Sequence, residues 1–202
     1  GRDASPVIRA LLLLGTAEPA ASADDLAGLT IGERDARLLR LRARMFGSNL
    51  ECTAACPECA VLLELKLTTQ ELLAAHNRSD AATRWAERDG VHVRYRLPNS
   101  ADLLAIAGIL DAERAREELL IRCVDADEGP LDTAVAEFVI TEMAAADPLA
   151  DVQISLTCPS CSAAWTATFD IVAFLWSEIE AWAQRTLADI HTLARAYGWT
   201  ES

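Results

Sequence analysis

Apolar residues recur along this chain first with a helical period and then with a period of two, and the change marks where helices give way to strands. Residues 5–15 predict a short helix, with Ser5 as cap, Pro6 at the first helical position and Gly15 as stop. Ala17–Leu29 is small and acidic and reads as a linker. Thr30-Ile31-Gly32-Glu33 has the form of a capping box, and Glu33–Phe46 follows as an amphipathic helix with Leu38, Leu41 and Met45 on one face and Gly47 closing it. Then the period becomes two. Leu50–Ala55 and Val61–Leu67 predict strands, the second alternating Leu63, Leu65 and Leu67 with Glu64 and Lys66. Thr69–His76 reads as a helical turn.

The middle of the chain repeats the alternation once. Thr83–Leu97 predicts a hairpin, with Trp85 on its first strand, Asp89-Gly90 as a type I′ signal and Pro98 ending it. Ser100 is the expected cap of a helical stretch from Ala101 to about Val124, interrupted near Gly108–Asp111. A loop with Gly129-Pro130 leads to a helix over Asp132–Ala146, stopped by Asp147-Pro148. Asp151–Leu156 and Ala164–Phe169 are strands again, and Ile171–Tyr197 is one long helix or two with a bend.

Cysteine placement changes the picture most. Cys56-Pro57-Glu58-Cys59 and Cys158-Pro159-Ser160-Cys161 each join two of these strands, and ninety-eight residues separate Cys59 from Cys158. Two Cys-Pro-x-Cys turns supply the four thiolates that a closed tetrahedral Zn²⁺ site requires. Disulfides would suit an oxidising compartment, and a large core does not need them. A redox CxxC opens a helix, whereas strands follow both of these pairs. Iron could occupy the same four sulfurs. The preferred reading is one structural zinc on Cys56, Cys59, Cys158 and Cys161. The fold class is then α+β: a split four-cysteine zinc ribbon whose two strand–CPxC–strand units are separated by an inserted hairpin and helices. Its segments are an N-terminal helical one over 1–48, the ribbon over 49–170 with the insertion at about 80–148, and a C-terminal helical one over 171–202. Cys52 and Cys123 are expected to be small buried hydrophobes, although Cys52 lies close enough to Cys56 to be a substitute ligand. His76, His92 and His191 show no metal or triad spacing and read as surface or packed side chains.

Charge narrows the partners. The net charge is −13, and after position 122 there are two arginines against thirteen acidic residues. Such a surface repels phosphate backbones, which argues against nucleic acid. Arg34, Arg37, Arg40, Arg42 and Arg44 form the one basic stretch, read as a solvated, ion-paired helix face or as a dock for an acidic partner. No apolar run approaches the ~18–20 residues of a membrane span. The apolar Ala10–Leu14 is interrupted upstream by Arg9 and is too short for a signal peptide, so a cytoplasmic protein is expected. There is no nucleophile elbow, phosphate-binding glycine loop or paired-carboxylate signature, and no enzyme is expected. Phe174, Leu175, Trp176, Ile179, Trp182, Leu187, Ile190, Leu193, Ala194, Tyr197 and Trp199 recur at helical spacing, read as core packing or as a partner-binding face.

Several of these segments together resemble a known family. Leu29–Arg42, Phe46-Gly47 and the first cysteine turn resemble its N-terminal half; Arg94-Tyr95-Arg96-Leu97-Pro98 and Arg122-Cys123 its middle. The second turn, Trp165, Phe169-Asp170-Ile171, Phe174-Leu175-Trp176 and the run from His191 to Trp199 resemble its end. Over about residues 29–200 the chain is similar to the T-even-type phage baseplate protein family, the hub assembly chaperone group found with contractile phage tails and contractile injection systems. The resemblance implies a non-enzymatic protein that binds baseplate, hub or spike subunits during cytoplasmic assembly. The competing expectation is a zinc-ribbon adaptor of transcription or RNA processing. Glu51, Glu58 and Glu64, against a single Lys66 around the first pair, argue against it.

Overall fold

The computed structural model describes residues 4–76, 83–88, 90–125 and 132–199. Its elements run α1 (Pro6–Ala17), α2 (Ala23–Ala27), α3 (Ile31–Phe46), β1 (Asn49–Ala55), β2 (Leu62–Thr68), α4 (Thr69–Ala74), β3 (Arg84–Arg88), β4 (Val91–Tyr95), α5 (Ser100–Ile106), α6 (Ala112–Cys123), β5 (Val124–Asp125), α7 (Thr133–Ala146), β6 (Val152–Thr157), β7 (Ala164–Phe169) and α8 (Ile171–Tyr197). The architecture is mixed α+β with small antiparallel sheets: β1–β2, β3–β4–β5 and β6–β7. No helix among the described residues is long and apolar enough to cross a membrane.

The helices begin where their caps dictate. Ser5 accepts from the Ile8 amide, and Pro6 supplies a preset φ at the first position. Gly15 does not stop this helix, which continues to Ala17; a single glycine costs only about 1 kcal/mol inside a helix. The segment read as a linker contains α2, started by a full capping box between Ser22 and Asp25. At α3, Thr30 accepts from the Glu33 amide at 3.2 Å, while the Glu33 carboxylate pairs with Arg37 and His76, each at 2.9 Å. Asn99, not Ser100, caps α5, through a reciprocal box with Asp102. The expected interruption before α6 is present, and α8 is one helix. Asp89 and the Gly129-Pro130 loop lie outside the described residues.

Two apolar cores result. The larger joins Ala10 and Leu14 of α1, Leu26 of α2, Ala36, Leu38 and Leu39 of α3, Leu50 of β1, Leu149, and Ile171, Val172 and Leu175 of α8. Met45 is exposed rather than part of that face, because Ala36 and Leu39 turn inward instead. The smaller core packs Ala86, Val93 and Tyr95 of the three-stranded sheet against Cys123, Val135, Val139 and Met143.

On α3, Arg40 and Arg44 are exposed and Arg37 is ion-paired with Glu18 and Glu33, as expected of a solvated face, but two of the five arginines depart from it. Arg34 and Arg42 are buried. Arg42 binds both oxygens of Glu178 on α8 at 2.9 and 2.7 Å, donates to the carbonyls of Gly47 and Asn49, and lies over the Phe174 ring. A bidentate guanidinium satisfied on all sides is the arrangement in which a buried cation is tolerated. It fixes the end of α3, the start of β1 and the first turns of α8 in one place.

Candidate metal centre

The two cysteine turns are built alike. The Cys56 amide donates to the Val61 carbonyl at 2.9 Å, closing the β1–β2 hairpin, and the Ala60 amide donates back to the Cys56 carbonyl at 2.9 Å. In the β6–β7 turn the Cys158 amide donates to Ala163 at 2.8 Å and the Ser162 amide to Cys158 at 2.9 Å. Ala60 and Ser162 occupy the left-handed region at φ +58° and +61°. That conformation costs an L-residue roughly 1–2 kcal/mol, and both turns accept the cost at the same position. In each pair the first cysteine is buried and the second exposed.

The four sulfurs converge. Cys56 Sγ lies 3.6 Å from Cys161 Sγ, Cys59 Sγ lies 3.5 Å from Cys158 Sγ, and all four fall within 4.8 Å of one another. A tetrahedron with Zn–S bonds of ~2.3 Å has sulfurs ~3.8 Å apart, whereas a disulfide requires about 2.05 Å. Every cysteine is a free thiol. The pairing crosses the molecule, so each turn completes the other.

The electrostatics point the same way. Backbone amides of Cys161 and Ser160 aim at the Cys158 sulfur and hold its thiol down at about 6. Cys59 and Cys161 also accept from amides, of Val61 and Ala163, which favours their thiolates. The neighbouring sulfurs and the loss of water outweigh this, raising Cys59 and pushing Cys161 up to about 12. The cluster thus readily ionises one sulfur, and a second negative charge a few ångströms away needs a cation to balance it. Soft donors, tetrahedral spacing and amide support fit one zinc- or iron-sized ion with no position left for water.

Cys52 stands apart from the cluster, half-buried against the larger core, with burial raising its thiol above the ordinary value. Cys123 is buried in the smaller core, and burial pushes its thiol up to about 11. Neither joins the site. His76 is buried on Glu33, while His92 and His191 are exposed.

The family described as T4 bacteriophage base plate protein matches residues 16–126. The chain belongs to that family. Membership supports a structural role in a phage baseplate. No curated protein and no solved structure matches the chain. The family match begins upstream of Leu29 and ends before α7, so it contains the first cysteine turn and not the second. The likeness read onward from Cys158 rests on the sequence alone.

Residues of this baseplate-family segment that carried the resemblance meet Asn99, Ser100, Asp102 and, from beyond the segment, Asp147 at a polar junction. The Ile31 amide donates to the Pro98 carbonyl at 3.2 Å, and Thr30 bridges Asn99. The Gly32 amide donates to Asp147 Oδ2 at 2.9 Å across 115 residues. Arg34 donates to Asp35 at 2.7 Å and reaches the Ser100 hydroxyl at 3.5 Å. Burial outweighs that arginine and raises the Asp35 carboxyl to about 6. Arg96 grips both oxygens of buried Asp102 at 2.5 and 2.8 Å, with Arg122 adding a third contact at 3.3 Å. The sequence reading missed this junction as a unit. Its signal was present in the Gly-Glu-Arg-Asp and Arg-Tyr-Arg-Leu-Pro strings, whose polar residues fix one element to another.

Proposed function

We propose that this protein is a non-enzymatic component of the baseplate hub of a contractile phage tail or injection system, acting in the cytoplasm during particle assembly as a chaperone or a retained part. The observation that carries the reading is the family match over residues 16–126. Its partners are other baseplate, hub or spike proteins. The acidic character of the chain after position 122 supports shielding of a basic assembly surface, since charge complementarity steers encounter.

We further infer that Cys56, Cys59, Cys158 and Cys161 bind one structural zinc, making β1–β2 and β6–β7 the halves of a split ribbon. Zinc would supply a closed four-thiolate cross-link and no catalytic position. The chain's own contribution is the matched pair of turns, which hold the sulfurs convergent and present amides to them.

Co-expression with each hub and spike protein encoded beside it tests the assembly role. A stable co-purifying complex with at least one of them is expected, and a chain that elutes alone in every pairing would overturn the reading.

A further inference from the structure

Helix α8 is 27 residues long, about 40 Å, and its two halves live in different surroundings. Val172, Leu175 and Ile179 on the proximal half pack into the larger core against α1 and α3. Trp182 continues the same stripe, and after the polar Thr186 it resumes through Ile190, Leu193 and Tyr197, with Leu187 beside them. Yet from Ala181 to Trp199 no residue is buried. Trp182 is 49% exposed, Leu187 66%, Ile190 49%, Leu193 46%, Tyr197 72% and Trp199 61%. One face of one helix is therefore core for its first half and bare for its second. A helical stretch of this length is marginal in water without tertiary packing, and a bare apolar face of this size marks an interaction site.

We propose that the distal half of α8, Trp182 to Trp199, is the interface of a twofold homodimer. Two observations select a second copy as the occupant. The first is area: the exposed parts of those six side chains amount to roughly 700 Å² per copy. Two copies would bury about 1,400 Å², within the ~1,200–2,000 Å² of a stable isologous interface. The second is charge. At −13 per chain, two copies repel over most of their surface. Arg185 and Arg195, the only arginines after position 122, both lie on this segment, with Asp189 as its one acid. The acidic part of the molecule is thus locally neutralised along this half of the helix, where like chains can meet.

Sedimentation velocity of the purified chain, from about 1 to about 100 μM, tests the proposal. The expected result is a species of twice the 21.8 kDa chain mass at the upper concentration, dissociating on dilution. The double variant Leu187→Glu/Ile190→Glu is expected to stay at the single-chain mass throughout, with the far-UV dichroism of its helices retained. A wild-type chain that remains single at about 100 μM overturns the proposal, as does a wild type that gains mass only when a hub protein is added. A double variant that still dimerises removes α8 from the interface. Should the variant misfold, the wild-type dilution series decides alone. The baseplate assignment stands or falls separately, on the co-expression experiment.

Discussion

Gly32 shows how far a single residue's meaning can lie from its neighbours. A Cβ built there would sit 1.7 Å from Asp147 Oδ1, the same carboxylate that accepts from the Gly32 amide. Two effects of Gly32→Ala oppose each other. Alanine gains about 1 kcal/mol of helix propensity over glycine. Against it, Asp147 must swing away, and a charged hydrogen bond at a buried helix N-terminus is worth about 1–3 kcal/mol. The carboxylate also loses the favourable end of the α3 dipole. The loss outweighs the gain, so Gly32→Ala is expected to lower unfolding stability by about 1–2 kcal/mol in urea titration. A variant as stable as wild type or more so would mean that Asp147 moves aside at little cost and does not pin α3.

At the scale of elements, the two hairpins make a comparable prediction because they are the same device used twice. Each contributes one buried and one exposed sulfur, and the close sulfur pairs run between hairpins, Cys56 with Cys161 and Cys59 with Cys158. With one shared zinc, Cys56→Ser and Cys158→Ser remove equivalent ligands. Both are expected to drop bound zinc, measured by atomic emission, from one per chain to near zero, and to lower the melting temperature by similar amounts. Zinc retained in one variant and lost in the other would refute the shared site. These hairpins were legible in the sequence because every cue for them is local: alternation, a Cys-Pro-x-Cys turn and a second strand within about twenty residues. The same holds for α7 and β7, whose bounds nearly coincide with their expected ranges. Other elements were not legible, for physical reasons. Helix α2 was missed because Ala, Asp and Asp carry no apolar period, and only Leu26 of that turn is buried. Burial of Arg42 was hidden because its partner Glu178 lies 136 residues away, and a run of arginines on a helix looks the same whether its counterions are solvent or another helix. The aromatic period of α8 was visible throughout its length, but nothing local separates the half that meets α1 and α3 from the half that does not.

For the whole molecule the question is how much depends on the clasp. A small zinc finger unfolds without its metal because the site is most of its core. Here the larger core is formed by α1, α2, α3, Leu50 and the first turns of α8, and none of its buried members is a cysteine of the cluster. The bases of both hairpins reach that core through Leu67, Val152 and Phe169, while the tips are joined at the sulfurs. Metal removal should therefore loosen the tips and leave the helices standing. A ligand bound only by the folded state at about a thousand times its Kd contributes about 4 kcal/mol, and for a chain of this size each kcal/mol shifts the midpoint by ~2–4 °C. Treatment with a zinc chelator under reducing conditions is thus expected to lower the melting temperature by about 10 °C with helical dichroism nearly unchanged. Faster amide exchange should be confined to β1–β2 and β6–β7, and restored on adding zinc. Loss of the helical signal on chelation would show that the clasp, not the helical core, holds the fold. No shift in melting and no change in exchange would instead leave the four sulfurs without a metal to explain their convergence.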